Sequence, residues 1–161
     1  DKRLSWFWLA VRVYLGWQWL HAGYEKIINP VWVGEKAGVA ISGFVNGALA
    51  KTVGAHPDVS SWYASFLQNC VLPNAKIWSY LITYGEILVG LGLILGALTF
   101  LSAFFGFFMN LNYLLAGTVS TNPQLLVLAL LIMVAHKTSG YIGLDHYVER
   151  AGKSWALFRQ I

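Results

Sequence analysis

A chain of 161 residues with 57% hydrophobic, 16% aromatic and only 11% charged side chains is neither disordered nor an ordinary soluble domain, which carries roughly 25% charge. The mean hydropathy is +0.57, and the net charge of +4 sits near the ends of apolar stretches, which fits membrane topology rather than nucleic-acid binding. The one cysteine, Cys70, excludes an internal disulfide and an all-cysteine metal site.

The first predicted span runs from about Ser5 to Ile28 and stops at Asn29-Pro30, where proline ends a helix. It is too long, and too polar in its second half, to be the apolar core of a signal peptide. Its tryptophans and tyrosines near the ends suit the membrane interface. Residues 29–76 carry charges, prolines and shorter apolar stretches. Two short helices are expected there, over about Lys36–Ala50 and Asp58–Cys70. The second would present Val59, Trp62, Tyr63, Phe66, Leu67 and Cys70 on one apolar face, as a cap lying on the membrane surface.

Between Lys76 and Lys137 the only charge is Glu86. Three closely connected spans are predicted there, over about 77–97, 99–117 and 122–137, the last opening with Asn122 as cap and Pro123 in the first turn. Each span needs about 20 mostly apolar residues, and connections this short make neighbours antiparallel. The expectation is an all-α integral membrane four-helix bundle. It forms a single transmembrane domain over residues 1–161, with an extracytoplasmic cap of short amphipathic helices at 29–76 and a cytoplasmic tail at 138–161. Lys2, Arg3, Lys137, Arg150, Lys153 and Arg159 outnumber Lys26, Lys36, Lys51 and Lys76 on the opposite side. That bias places both termini in the cytoplasm and the protein, multi-pass, in the cytoplasmic membrane.

Polar groups inside the spans are few and ordered, and intramembrane ionisable groups mark function or packing. In the first span Tyr14, Gln18, His21 and Glu25 share one stripe, and Arg12, Gly16, Trp19, Gly23 and Lys26 another, roughly opposite. One stripe then faces the bundle, and the other a partner such as a second subunit or a second copy. In the second span Ser79, Thr83, Glu86 and Gly90 share a stripe. Glu86 lies about 14 Å below the outer end of its helix and His21 about 10 Å below the same end of the first span. The reading is a hydrogen-bonded pair of His21 and Glu86, with Gln18 or Tyr14 beside it. A carboxyl group next to a histidine, which titrates near neutrality, can pass protons. Tyrosine and glutamine can bond a quinone carbonyl, and aromatics can sandwich its ring. The same pair fits a purely structural network, or ion or solute transport. Asn110, on a stripe with Gly106 and Gly117, is a further contact candidate, although small residues and asparagines also serve close helix packing. Arg12 and Lys26 are candidates for holding an anion or a partner. No haem, flavin, dinucleotide or metal pattern is visible.

Several segments resemble the DoxX/DoxD-like membrane family. "RVYLGWQWLHAGYEKI" (Arg12–Ile27) carries its arginine, small residue, His-Ala-Gly and lysine at Arg12, Gly16, His21–Gly23 and Lys26. "YGEILVGLGLILG" carries the glutamate with glycine-spaced apolar residues at Glu86, Gly90, Gly92 and Gly96. "GYIGLD" (Gly140–Asp145) is similar to the family's closing signature. The run from Phe107 to Pro123 resembles the DoxD-like subgroup, the large subunit of thiosulfate dehydrogenase (quinone). The resemblance implies a four-helix membrane subunit of a quinone-linked sulfur or thiol oxidoreductase. Quinone would be the electron acceptor, the membrane its surroundings and a second subunit its partner. In this reading His21 and Glu86 are catalytic. The alternatives are a non-catalytic scaffold that docks a redox partner, and a small-solute channel or transporter, which four short spans without inverted repeats make weak.

Overall fold

The computed structural model describes residues 4–158, with side chains described for 4–151. Lys2, Arg3 and Arg159, and the side chain of Lys153, which entered the expected orientation, lie outside that range. The described residues are helical and irregular, with no strand. In chain order the helices are α1 (Leu4–Ile27), α2 (Val39–Leu49), α3 (Ser61–Phe66), α4 (Ala75–Leu95), α5 (Thr99–Leu115), α6 (Asn122–Val134), α7 (His136–Ser139) and α8 (Leu144–Phe158).

The four long apolar helices of the sequence reading are α1, α4, α5 and α6. α1 packs chiefly on α4, α4 on α5, α5 on α6, and α6 returns to α1. Their register is antiparallel. Arg12, Gly16, Gly23 and Lys26 of α1 meet Gly96, Gly90, Ile87 and Glu86 of α4, so one helix ascends as the other descends. Glycine makes this possible. A Cβ on Gly90 would stand 2.6 Å from the Leu20 backbone nitrogen and 2.8 Å from the Gly16 carbonyl oxygen, so the two backbones touch directly, as small residues allow in membrane helix pairs.

The 28–74 segment differs from expectation in two respects. Its second helix is not a separate cap. α3 continues through a wide π turn at Leu67–Val71 and a tight 3-10 turn at Leu72–Asn74 into α4. Pro73 sits within the first turn of that tight stretch, where a missing N–H costs little, so the proline bends the chain without ending the helical run. The resulting run, Ser61–Leu95, is the one described helix both long and apolar enough to cross a membrane. Thr99–Leu115 and Asn122–Val134 are apolar but shorter. The apolar face of this segment also shifts by one position. Val59, Tyr63, Leu67 and Val71 are buried against Ile41 and Val45 of α2, whereas Trp62 and Cys70 are exposed.

Two apolar cores result. One joins the 28–74 segment to the top of α4 and α5. The other, of Leu15, Trp19, Val89, Leu93, Ala103, Ala129 and Ile132, lies within the four-helix group.

Candidate functional site

Glu86 is 1% exposed and makes two short contacts. Lys26 Nζ, from the end of α1, donates to its Oε2 at 2.7 Å. The Tyr113 hydroxyl, from α5, donates to its Oε1 at 2.8 Å. A buried carboxylate needs both charge pairing and hydrogen bonds on its free lone pairs, and each oxygen has one of these partners. The three residues come from three helices, so the site exists only when α1, α4 and α5 are assembled. The Lys26 side chain retains 18% exposure and lies over the Trp32 ring, 5.0 Å from its centroid. The charged pair therefore reaches outward through Lys26.

Tyr113 also lines a cavity of about 370 Å³ between the 28–74 segment, α4 and α5. Its walls are almost entirely apolar, with Phe44, Phe66 and Trp78 on the side of the 28–74 segment and Leu88, Phe105 and Phe108 toward the outside of α4 and α5. Leu88, Phe105 and Phe108 are themselves about half exposed or more, so the cavity opens laterally. In its lining the Tyr63 hydroxyl contacts the Asn112 carbonyl oxygen and side-chain oxygen, both at 3.0 Å. An apolar chamber of this size with a few convergent polar groups is the usual form of a small-molecule site.

The structure corrects the sequence reading of α1. His21 does not reach Glu86. It is exposed and pairs with Glu25 of its own helix at 3.8 Å, and Tyr14, 50% exposed, and the partly exposed Gln18 share that outward face. The inward stripe is the one assigned to a partner. Arg12, 1% exposed, donates from Nη1 to the Ser139 carbonyl at 2.6 Å and from Nη2 to the Ile142 carbonyl at 2.5 Å. It is an internal tie, with no surface to offer an anion or a partner. Lys26 likewise serves Glu86. Asn110 is fully buried, and neither atom of its amide has a hydrogen-bond partner among the described residues.

Two residues at the centre of the arrangement were missed, Tyr113 and the pairing role of Lys26. Both had a signal. Lys26 shares the stripe of Gly16 and Gly23, and Glu86 that of Gly90. Glycine stripes that face each other bring those charges together. Tyr113 falls on the Gly106–Asn110–Gly117 stripe of α5. Among the described residues no group of three or more His, Cys, Asp or Glu could hold a metal ion.

The "GYIGLD" run folds into a latch at the opposite end of the bundle. Asp145 accepts from the Leu98 and Thr99 amides at 2.6 and 2.7 Å, capping α5, while its own amide donates to Gly96 at 2.9 Å. Gly96 ends α4 at φ 65°, and a Cβ there would collide with the Arg12 guanidinium.

The described residues form a helical fold with one long apolar helix and a buried ionisable triad. The chain belongs to the DoxD family, whose profile, described as TQO small subunit DoxD, matches residues 7–161. That description names the small subunit, where the sequence resemblance pointed to the large one. No curated protein and no solved structure is a significant match.

Proposed function

We propose that this chain is the quinone-handling membrane subunit of a sulfur or thiol oxidoreductase of the thiosulfate:quinone type, with α1, α4, α5 and α6 crossing the bilayer. The observation that carries the reading is the Tyr113–Glu86–Lys26 triad, whose Tyr113 lines the wall of a laterally open apolar cavity. The family's description supports the same class of enzyme.

Each quinone reduced to a quinol takes up two electrons and two protons. The electrons come from the sulfur donor, two thiosulfate ions joining through a new sulfur–sulfur bond. The residues of this chain manage the protons. The Tyr113 hydroxyl can hold or give a proton at the cavity wall. Glu86, bonded to that hydroxyl, can take a proton from it or resupply one. Lys26 holds the opposite charge so that the carboxylate remains bound in an apolar interior. The aromatic walls suit a flat ring, and the opening between α4 and α5 suits a lipid-soluble tail.

The test is titration of purified protein in nanodiscs with a short-tailed benzoquinone, followed by quenching of tryptophan fluorescence, with Trp78 in the cavity wall. Saturable quenching that weakens in Tyr113→Phe is expected. Glu86→Gln should insert and fold yet abolish thiosulfate-dependent quinone reduction in membranes. Wild-type reduction by that variant would remove the proton role.

A second reading, a subunit that docks a redox partner, is favoured by the outward face of α1. There Tyr14, His21 and Glu25 are exposed, and polar groups on a membrane helix demand company. A stoichiometric partner on purification, with no quinone binding by the isolated chain, would favour it.

A further inference from the structure

The polar groups around Glu86 are distributed unevenly along the bundle. Toward the 28–74 segment, α4 presents Thr83 one turn from Glu86 and Ser79 a turn further, both fully buried. Ser79 donates to the Trp32 carbonyl at 2.5 Å, and Trp32 also carries the Lys26 ammonium. Thr83 Oγ1 has no hydrogen-bond partner among the described residues. Neither does the Asn110 amide, one turn from Tyr113 on the same stripe of α5 but on the side away from the 28–74 segment. Trp19 Nε1 is also unpaired, and it stands 3.0 Å from where a Gly106 Cβ would lie, one turn below Asn110. Buried polar groups in native proteins find partners, and where side chains do not supply them water does.

In the other direction, past Asn110 and Trp19, the bundle is closed. Leu15, Leu93, Ala103 and Ile132 are 0% exposed and belong to one apolar cluster, about 10 Å from Glu86 along α4. Only beyond that layer do polar groups return, as the Arg12 and Asp145 latch.

The geometry points to a hydrated proton path that links the Lys26–Glu86–Tyr113 triad to the face carrying residues 28–74 and to no other. Thr83 and Ser79 hold its water chain, Asn110 and Trp19 hold water behind the triad, and the layer of Leu15, Leu93, Ala103 and Ile132 seals it from the opposite face. The functional meaning rests on the reading of the triad as a proton handler. Under that reading both protons taken up per quinone reduced come from the 28–74 side.

The path can be tested without any quinone. In a Cys70→Ser background, Thr83→Cys and Ala103→Cys are placed in vesicles, and a membrane-impermeant charged methanethiosulfonate is added to one face at a time. The reagent needs a hydrated, ionised thiol, so Thr83→Cys should react from the 28–74 face on the order of a hundredfold faster than Ala103→Cys reacts from either face. The small Ala103→Cys change keeps the apolar layer intact, and melting temperatures of both variants verify folding. A Thr83→Cys that stays inert from both faces, or an Ala103→Cys that reacts from the opposite face, overturns the proposal. Failure here with intact short-tailed quinone binding would remove the path and leave the quinone site standing. Loss of quinone binding with this labelling pattern would do the reverse.

Discussion

At the residue scale the molecule turns on two cations with different tasks, Arg12 buried and Lys26 partly exposed. Arg12 gives its guanidinium to backbone carbonyls at one end, and Lys26 gives its ammonium to Glu86 near the other. Removing one member of a buried pair leaves the other charged without compensation, at a cost of about 3–5 kcal/mol. Lys26→Met should therefore lower the stability of the purified protein by that amount in chemical unfolding. The double variant Lys26→Met, Glu86→Leu should recover most of the loss, since an apolar replacement of both partners is often neutral. A single and a double variant equally damaged would mean that Lys26 acts elsewhere. Asp145 is a smaller case. It caps α5 from 46 and 47 residues further along the chain, and losing such a cap costs about 0.5–2 kcal/mol. Asp145→Ala should lower the melting temperature measurably while leaving quinone binding unchanged, because the cavity lies at the other end of α5.

At the element scale, glycine decides which helices can approach. Gly90 is needed because a Cβ there meets the α1 backbone, which cannot yield as a flexible side chain could. Gly47 of α2 has nothing within 4 Å of a built Cβ. Alanine should act oppositely at the two sites. Gly90→Ala should destabilise by about 1–3 kcal/mol through overpacking, and Gly47→Ala should stabilise by about 0.5–1 kcal/mol through lower chain entropy. Thermal unfolding of the pair checks both signs. The same glycines explain what could be read from the sequence. Apolar length located α1, α4, α5 and α6 within a few residues. Which face of α1 turned inward was decided by close packing at Gly16 and Gly23, which outweighed the polarity of Tyr14, Gln18 and His21. Depth along the helix put His21 near the level of Glu86, but depth carries no information about rotation around the axis. The fusion of α3 to α4 was hidden for a related reason. Pro73 signals a break, and only the turn geometry around it shows that the helical run continues.

At the scale of the whole molecule, the cavity lies where the core beneath the 28–74 segment meets α4 and α5. Neither part encloses it alone. Phe44, Phe66 and Tyr63 come from the 28–74 segment, while Gly85, Met109 and Tyr113 come from the long helices. This division makes it possible to separate the chamber from the triad. Gly85 lines the cavity, and a Cβ built on it meets only Met109 Sδ at an ordinary 3.6 Å. A larger side chain there would extend into the chamber rather than into the α1–α4 contact. Gly85 is also a helix interior position, where replacing glycine recovers about 0.5–1 kcal/mol of helix propensity. Gly85→Leu should therefore fold with undiminished melting temperature and leave the Lys26–Glu86–Tyr113 bonds in place. Its affinity for a short-tailed benzoquinone should fall by at least about tenfold, equivalent to about 1.4 kcal/mol of binding free energy. Fluorescence titration in nanodiscs measures that affinity beside the melting curve of the same preparation. Unchanged quinone affinity in a folded Gly85→Leu would move the binding site away from this cavity, while the triad would still require another account of its burial.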